Sequence, residues 1–541
     1  MSATFRQKRE ARKKRLFQER RRRINKRLGK PPGPERPVPM MTATNIQYEL
    51  ADRVQGISAG GIGLMLLLAH RIGLIRDIDA NLHLLKVHLP YHESDHVLNI
   101  TFNTLAGGQR IEHIELRRND EVYLNALGAE RIPDPTTAGD FCRRFREPDV
   151  MTLMDTFNQS RLRVWAQQPP EFFEEAILDA DGTIVPSDSE CKHGMDFTYK
   201  GQYGYHPLLI SLANTAEPLF LFNRSGNRPS QERAGEYLNK AVALCIRAGF
   251  RKILLRGDTR IAENKDLDSW DEQILPRNGT TIAETANLDS WDDAGNVRFI
   301  FGYAAYDVLK ARADELPAQA YSFLERPPRY AIKTTPRQQP ERFKPEIVRE
   351  RGYKTIHLLE EMIAEFEYQP VACKKSYRMI VLRKLVGVDK GQMRLFEEYR
   401  YFFYITNDRK MTAEEVVFSA NDRCDQENLI AQLKSGVRAL TAPVDDLVSN
   451  WAYMVIGSLA WSLKAWSALM VPVLPQHQKE HKTEKRKLLR MEFATFCAAF
   501  IQMPCQIVRG GRRLIYRLLS WNPWQEVFLR LAERLHGCWL C

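Results

Sequence analysis

A succession of strand and helix patterns between Glu174 and Thr259 constrains the fold of this 541-residue chain more than any other feature. Three apolar segments typical of strands follow one another: EEAILDADGTIV, HPLLISLAN and EPLFLFNR. The segment EYLNKAVALCIRAGF (236–250) then has apolar side chains at helical spacing, and RKILLRGDT (251–259) has the composition of a fourth strand. Three strands, a helix and a strand predict a mixed sheet with helices packed on it.

Two aspartates interrupt the first of these strands, in ILDADGT (177–183). Asp179 and Asp181 are expected on the same face of the strand, because side chains alternate between the two faces. A buried carboxylate is costly unless it is paired or binds a metal. Asp258 follows the fourth strand, so it would lie beside Asp181 if these two strands are neighbours. The pattern predicts part of a divalent-metal site, although an aspartate at a strand end is also common in turns.

A third carboxylate is predicted on the helix ANDRCDQENLIAQLK (420–434). Arg423, Glu427 and Lys434 are spaced four and seven residues apart, so they project within about 40° of one another. A carboxylate suits Mg²⁺, and the two cations suit the phosphates on which the metal would act. A surface ion pair between Arg423 and Glu427 is the simpler alternative. The order of all these residues along the chain favours the metal site.

The charge distribution points to a polyanionic partner. The net charge is +12, and the segment from Met1 to Lys30 alone carries 14 basic residues against Glu10 and Glu19. The rest of the chain is therefore neutral, with 65 basic and 65 acidic residues. A basic arm on a neutral body favours binding to nucleic acid, either as a working part or as a solvated tail with non-specific affinity.

The cysteines and apolar segments exclude several classes of protein. The nine cysteines are scattered, and only Cys538 and Cys541 have CxxC spacing, which predicts neither a disulfide framework nor a structural zinc site. The first 30 residues are too charged for a secretion signal. The apolar stretches 62–75 and 451–475 are interrupted by charged or polar residues, so they are predicted to be buried helices rather than membrane spans. We therefore predict a cytoplasmic protein without a membrane partner.

Six segments are distinctive because they occur together. They are LDADGT (178–183), YKGQYGYHPLLISLANTAEPLFLFNRSGNRPS (199–230), LLRGDT (254–259), LDSWDDAGNVRFIFG (288–302), NDRCDQENLIAQLK (421–434) and LVSNWAYMVIGSLAW (447–461). On these segments the sequence resembles the bacterial insertion-sequence transposases of the DDE class, in the group 1 branch. The resemblance extends from about residue 45 to about residue 530.

The resemblance implies a catalytic triad of two aspartates and one glutamate on an RNase H-like core. By position, Asp181 is the first aspartate, with Asp179 as the alternative. Asp258 is the second aspartate, and Glu427 is the glutamate. Asp181, Asp258 and Glu427 would bind Mg²⁺, for which Mn²⁺ could substitute. The second carboxylate of ILDADGT would then orient the first or be purely structural.

Related transposases often carry Tyr-x₂-Arg-x₃-Glu-x₆-Lys around the glutamate. Arg423, Glu427 and Lys434 match this pattern, whereas Ala420 stands at the tyrosine position. The resemblance implies two Mg²⁺ ions about 4 Å apart. They would serve cleavage at the end of the element, which exposes a 3′-OH, and then in-line attack of that 3′-OH on target DNA. No serine or tyrosine nucleophile is required by this chemistry.

The implied partners are double-stranded DNA, as terminal inverted repeats and as target, and a second copy of the chain in a homodimer that holds two ends. The predicted DNA-binding residues are Arg423, Lys434, Arg143, Arg144, Arg224 and Arg228. Arg143 and Arg144 could equally form a solvated face, and NRSGNRPS (223–230) could be a plain turn. Trp270 and Trp291, in two copies of LDSWD, could stack on a flipped base or anchor a loop.

The predicted fold class is α/β, an RNase H-like mixed-sheet core with a strand-rich insertion. A helical DNA-binding region precedes it and C-terminal helices follow it. The predicted regions are a basic arm and Pro-rich linker (1–40), a helical DNA-end-binding region (41–170), the first part of the core (171–261), the insertion (262–405), the second part of the core (406–470) and a C-terminal helical region (471–541).

Two other functions are consistent with the same residues. A metal-dependent nuclease of this fold would cut DNA without joining it. A DNA-binding transposase relic would bind DNA without cutting it, although all three acidic positions are intact. An enzyme acting on small phosphorylated molecules lacks support, because the chain has no GxxxxGK[ST] and no GxGxxG after a strand.

Overall fold

The chain folds into two compact units in the computed structural model. Residues Met1–Phe141 and Trp466–Cys541 form the terminal unit, and Cys142–Ala465 form the central unit. The structure describes residues 3–29, 54–88, 90–189, 191–259, 297–326, 354–371, 373–390, 393–510 and 513–536. The predicted helical regions near the two chain ends thus contribute to the same unit, except that 142–170 belong to the central unit.

Helices occur in both units. In the described part of the chain the α-helices, labelled α1 to α16 in order, are Ala3–Leu28, Ile62–Arg71, Leu74–Asn81, Glu93–Leu105, Ile114–Arg118, Glu121–Leu127, Pro135–Arg143, Glu147–Trp165, Ala234–Ala248, Asp307–Asp314, Ala413–Asp422, Cys424–Ala431, Leu447–Met470, Gln478–Arg490, Phe493–Phe496 and Gln525–His536.

Strands are concentrated in the central unit. The described strands, labelled β1 to β15 in order, are Gly56–Ile57, Ala176–Gly182, Val185–Pro186, Asp196–Phe197, Tyr203–Tyr205, Leu208–Leu212, Glu217–Phe222, Ile253–Gly257, Val297–Tyr303, Ser322–Phe323, Lys354–Tyr368, Tyr377–Lys390, Met393–Thr406, Cys505–Gly510 and Arg513–Leu518. The strands β1, β14 and β15 form a small sheet in the terminal unit.

A large mixed sheet lies at the centre of the central unit. Its described strands follow the order β10-β11-β12-β13-β9-β8-β2-β6-β7. The strand β6 is antiparallel to both β2 and β7, whereas β8 runs parallel to β2 and β9 runs parallel to β8. The helix α9 packs on this part of the sheet. The predicted succession of three strands, a helix and a strand is therefore confirmed in this sheet. The first and fourth of these strands, β2 and β8, are neighbours, which is the condition under which Asp181 and Asp258 were expected to lie side by side.

The strand-rich block predicted as an insertion over 262–405 is continuous with this sheet. The strand β9 pairs with β8, and β13 continues the sheet by pairing antiparallel with β9. Val297, Phe299 and Phe301 are buried, which is typical of a strand in the interior of a sheet. The sheet that contains β2 and β8 thus continues past the predicted boundary at residue 261, through β9 (Val297–Tyr303).

An apolar cluster joins one face of the sheet to α11. Its buried members are Leu254, Ile300, Leu324, Ile363, Ile380, Leu382, Val416 and Val417. Each such side chain contributes about 1.5–3 kcal/mol when it is fully buried. Ile177 packs against the cluster and shares a strand face with Asp179 and Asp181. This packing holds α11 over the face that carries the two aspartates.

The helix predicted over 420–434 is divided into three segments. The helix α11 begins after Thr412, whose hydroxyl accepts from the backbone N–H of Glu415 while the Glu415 carboxylate accepts from the N–H of Thr412. It ends at Asp422, and α12 begins at Cys424. A π-helical turn follows at Gln432–Gly436. Arg423 therefore lies at the junction of two helices rather than within one.

The predicted apolar helices are largely buried inside the protein. Side chains of α13 between Trp451 and Met470 are buried throughout, and most apolar side chains of α2 are buried too. Within the described ranges, no single helix is long and apolar enough to cross a membrane. The segments Leu447–Met470 and Pro475–Arg490, which are bent relative to each other, have the length and apolar composition of a membrane span only when they are counted together.

The basic arm is helical and contacts the C-terminal part of the terminal unit. The ring of Phe17 in α1 lies edge-on to Trp521, with 6.1 Å between ring centroids. The guanidinium of Arg20 donates to the carbonyl oxygen of Ser520 at 3.3 Å. These contacts hold the arm at one end of the polypeptide against residues from the other end.

Candidate active site

Two aspartates lie at the ends of adjacent parallel strands. The register pairs Asp179 with Arg256 and Ala180 with Gly257, so Asp258 follows β8 close to Asp181 at the same edge of the sheet. The backbone N–H of Thr259 donates to the Asp258 carboxylate at 2.7 Å. A Cβ at Gly302 would lie only 2.8 Å from the Thr259 nitrogen, so a glycine is required on the neighbouring strand.

One guanidinium draws the three predicted metal-binding carboxylates together. Arg423 Nη1 lies 3.1 Å from Asp181 Oδ2. Arg423 Nη2 lies 3.7 Å from Asp258 Oδ2 and 4.0 Å from Glu427 Oε1. The sequence predicted that these four residues share a site, and the structure brings them together.

The site opens to solvent on the side of the carboxylates. The side chains of Asp258 and Glu427 are 60% and 62% exposed, whereas that of Arg423 is only 12% exposed. Asp181 is intermediate, at 20%. A charged ligand that approaches from solvent therefore meets Asp258 and Glu427 before it reaches Arg423.

The carboxyl group of Asp181 is held in an unfavourable environment for its charge. Burial raises its pKa to about 6, and the negative charge of Asp258 acts in the same direction. The guanidinium of Arg423 opposes this rise. Additional positive charge beside Asp181 would stabilise its ionised form.

Asp179 is buried and paired with an arginine. It is 1% exposed and forms a bidentate ion pair with Arg256, at 2.7 and 2.9 Å. Arg256 also donates to the carbonyl oxygen of Ser419 in α11. Arg256 satisfies both carboxylate oxygens of Asp179 in the interior, which favours Asp181 over Asp179 as the first carboxylate of the site.

Gln426 fixes α12 on the sheet next to Glu427. Its side-chain amide donates to the carbonyl oxygens of Asp179 and Leu209, at 2.9 and 3.1 Å. Sequence analysis did not identify Gln426 or Arg256. The signal for Arg256 was a cation directly after the apolar run Ile253–Leu255, whereas Gln426 had no signal beyond its position before Glu427.

The chemistry of the site suits a divalent cation, but Arg423 stands between its ligands. Carboxylate oxygens are the hard donors that Mg²⁺ prefers. Within the part of the chain that the structure describes, no three His, Cys, Asp or Glu side chains are grouped closely enough to hold a metal ion. The oxygen ligands of Asp181, Asp258 and Glu427 are thus of the kind that Mg²⁺ binds. The guanidinium of Arg423 neutralises part of the negative charge of these three carboxylates.

Lys434 lies at the edge of the same site. Burial and the neighbouring ammonium of Lys200 lower the pKa of Lys434, while the Asp181 carboxylate opposes that change. Lys434 belongs to the π-helical turn that follows α12. Lys434 therefore contributes positive charge near Asp181, and Lys200 adds positive charge near Lys434.

Arg224 has a structural role instead of the predicted contact with DNA. It is 2% exposed, and its guanidinium donates to the carbonyl oxygens of His206, Pro229, Ser230 and Glu232 at 2.8–3.1 Å. A buried side chain that is bound to four carbonyl groups has no free donor edge at the surface. Its DNA-binding assignment is corrected accordingly, because Arg224 shapes the loop from within.

The other predicted DNA-binding arginines lie at the surface. Arg228 is about half exposed and pairs with Glu232 at 2.5 Å. Arg143 pairs with Asp445 at 2.7 Å, and Arg144 is exposed. Contacts of Arg143, Arg144 and Arg228 with DNA stay predictions.

The two tryptophans of the LDSWD copies lie outside the described residues. Trp270 and Trp291 both fall between residues 260 and 296. Their predicted stacking or anchoring roles stay predictions.

The perturbed Asp181 carboxyl group leads to a prediction about stability. Its folded-state pKa of about 6 exceeds the ordinary value of 3.8, so its contribution favours folding at low pH and is lost as the pH rises through 6. Without divalent metal, Asp181→Asn is expected to be more stable than the wild type at pH 7.5 by about 1–3 kcal/mol. The difference should shrink below about pH 4. Urea denaturation at the two pH values measures this, and a variant less stable at pH 7.5 would contradict it.

Comparisons with known proteins add independent information. A family model described as transposase DDE domain group 1 matches residues 52–538. Among solved structures, the chain is similar to piggyBac transposase in a cryo-EM structure of its synaptic complex with hairpin DNA. That similarity has 10% sequence identity and a TM-score of 0.31, and it covers 82% of this chain and 81% of the other. No curated protein sequence matches the chain.

Proposed function

The chain belongs to the group 1 family of transposase DDE domains, and from that premise we propose that it is a DDE transposase of an insertion sequence. It binds the terminal inverted repeats of the element, cleaves DNA at the element boundary in the presence of Mg²⁺, and joins the exposed 3′-OH to target DNA. The observation that carries this proposal is the convergence of Asp181, Asp258 and Glu427 on Arg423.

The strand order supports an RNase H-like core. The strands β2, β6 and β7 are adjacent in the large sheet, with β6 antiparallel to both β2 and β7, and β8 and β9 extend the other side of β2 in parallel. In this proposal β10 to β13 extend the core sheet. The helix α12 supplies the third carboxylate from above the sheet, and Gln426 anchors it there.

The protein's own residues position the DNA for cleavage and joining. Asp181, Asp258 and Glu427 would hold Mg²⁺, which supplies Lewis acidity toward the scissile phosphate. Arg423 and Lys434 would bind phosphate oxygens near the cut, Arg423 through its planar guanidinium and Lys434 as a point charge. The buried Asp179–Arg256 pair keeps the two strand ends in register beneath them.

Other parts of the chain supply affinity for DNA. The helix α1 carries most of the chain's excess positive charge, which favours salt-sensitive contacts with the phosphate backbone. Arg143 and Arg144 are proposed to contact the terminal repeats, and Arg228 the DNA backbone. A homodimer that holds two ends of the element completes the proposal.

The decisive experiment is a cleavage and joining assay with the purified full-length protein. The substrates are a labelled duplex that carries the element's own terminal repeat, a target plasmid and Mg²⁺. The controls are a duplex with a scrambled repeat and a reaction with chelator. We expect boundary cleavage and plasmid-joined products only with the correct repeat and metal. Cleavage without joining would identify a nuclease, and binding without cleavage would favour a DNA-binding relic.

A further inference from the structure

Arg423 occupies the position at which the three carboxylates would otherwise face a metal ion. We propose that Arg423 is a resident counter-ion of the metal-ligand set, and that a DNA phosphate releases it, so that DNA and divalent metal bind cooperatively. This inference rests on the proposed function, because it concerns the metal and DNA of that same site. It adds a dependence of metal binding on DNA. Without DNA, the Arg423 side chain occupies the carboxylates and weakens their binding of a metal ion.

The distances show that guanidinium and metal would compete for the same oxygens. Arg423 lies within 4.0 Å of an oxygen from each of Asp181, Asp258 and Glu427. In the described residues, no group of three His, Cys, Asp or Glu side chains is arranged to hold a metal ion. A divalent ion with several oxygen ligands at about 2.0–2.1 Å needs these carboxylates closer together than a guanidinium allows.

The charges make the competition electrostatic as well as steric. Three carboxylates surround Arg423, which is mostly withdrawn from solvent, and Lys434 interacts with one of them, Asp181. A metal ion bound beside an unmoved Arg423 would experience repulsion from that guanidinium. The ion is favoured only when Arg423 has another anionic partner.

A DNA phosphate is a suitable alternative partner for Arg423. Its planar guanidinium can bind phosphate oxygens through two parallel hydrogen bonds, as it can a carboxylate. The exchange replaces one anion with another at Arg423 and leaves the carboxylates free. Because binding linkage is reciprocal, DNA must then raise metal affinity by the same factor by which metal raises DNA affinity.

The test measures Mn²⁺ binding to metal-depleted full-length protein from the electron paramagnetic resonance signal of free Mn²⁺. Wild type is compared with Arg423→Gln and Arg423→Lys, each with and without a duplex. The duplex ends at the element boundary in a 3′-deoxy nucleotide, so no bond remains to be cut, no 3′-OH is available for joining, and the readout does not depend on activity. Arg400→Gln is the matched control, because it removes an exposed arginine that pairs with Glu398.

Without DNA, we expect Arg423→Gln to bind Mn²⁺ about tenfold more tightly than wild type, which corresponds to about 1.4 kcal/mol. DNA should raise the affinity of the wild type by a similar factor, but change that of Arg423→Gln by less than about twofold. Arg423→Lys retains the positive charge and should bind Mn²⁺ more weakly than Arg423→Gln. Arg400→Gln should match the wild type in both conditions.

Equal or weaker Mn²⁺ binding by a folded Arg423→Gln variant would overturn the inference and leave the proposed function intact. So would a gain from DNA that is the same in wild type and Arg423→Gln. Absence of Mn²⁺ binding to every form would overturn the inference together with the proposed metal dependence. If Arg423→Gln does not fold, the wild-type measurements alone test the inference. A Mn²⁺ affinity of the wild type that is unchanged by DNA would contradict the proposed cooperativity.

Discussion

Replacement of Glu427 by glutamine is expected to slow cleavage at the element boundary by about a thousandfold or more, the equivalent of about 4 kcal/mol in the activation barrier. The reason is the loss of one of three negative charges that would hold the metal, with almost no change in side-chain shape. Binding of the terminal-repeat duplex should persist, because the substitution leaves Arg423 and Lys434 in place. Gel assays of cleavage and binding under the same conditions measure both quantities.

The stability of the Glu427 variant provides the internal check. The Glu427 side chain is mostly exposed, so the melting temperature should change by no more than about 2 °C. Glu414→Gln is the matched control, because Glu414 is an exposed glutamate on α11, the helix that precedes α12. It should cleave DNA at the wild-type rate. If Glu427→Gln cleaves as fast as Glu414→Gln, then Glu427 is not the third carboxylate of the site.

Replacement of Asp179 by alanine is expected to reduce the free energy of unfolding by about 3–5 kcal/mol, because it leaves the charge of the buried Arg256 guanidinium without its carboxylate partner. Arg256 is 4% exposed and has no access to bulk water that could restore its solvation. The loss would be structural, so activity should decline together with the folded fraction. Chemical denaturation, followed by circular dichroism, measures the effect.

A paired substitution distinguishes a structural role of Asp179 from a catalytic one. Asp179→Leu combined with Arg256→Met removes both charges and should recover most of the stability that Asp179→Ala loses. If Asp179 is structural, the double variant should also recover cleavage. A double variant that is stable but inactive would return Asp179 to the catalytic set. Asp181→Asn, which is expected to be stable and inactive, provides the contrasting pattern.

The candidate catalytic residues were accessible from the sequence because each leaves a local signal. A carboxylate is rare inside an apolar strand, and Asp181 and Asp258 occur at the ends of two such segments. The spacing of Arg423, Glu427 and Lys434 adds a third signal on a helix. That the two aspartate-bearing strands are neighbours was a condition at the level of sequence, and the register of β2 with β8 supplied it.

Where two neighbouring residues were candidates for one role, the sequence did not show which of the two has that role. Asp179 and Asp181 share a strand face and differ by two positions, so no periodicity separates them. Arg224 and Arg228 share one loop in the same manner. The members of each pair differ in burial and in their partners, which only the tertiary fold determines. Asp179 is paired with Arg256, and Arg224 donates to four backbone carbonyl oxygens.

The sequence by itself determined the order of the core elements, the strand positions of Asp181 and Asp258, and the basic arm, because these depend on residue type and short-range spacing. Only the tertiary structure decided that β9 to β13 extend the core sheet, that Arg256 neutralises Asp179, and that Arg423 lies among three carboxylates. These arrangements join residues that are far apart in the chain. Their energies depend on burial and on distances of a few ångströms, which local patterns do not encode.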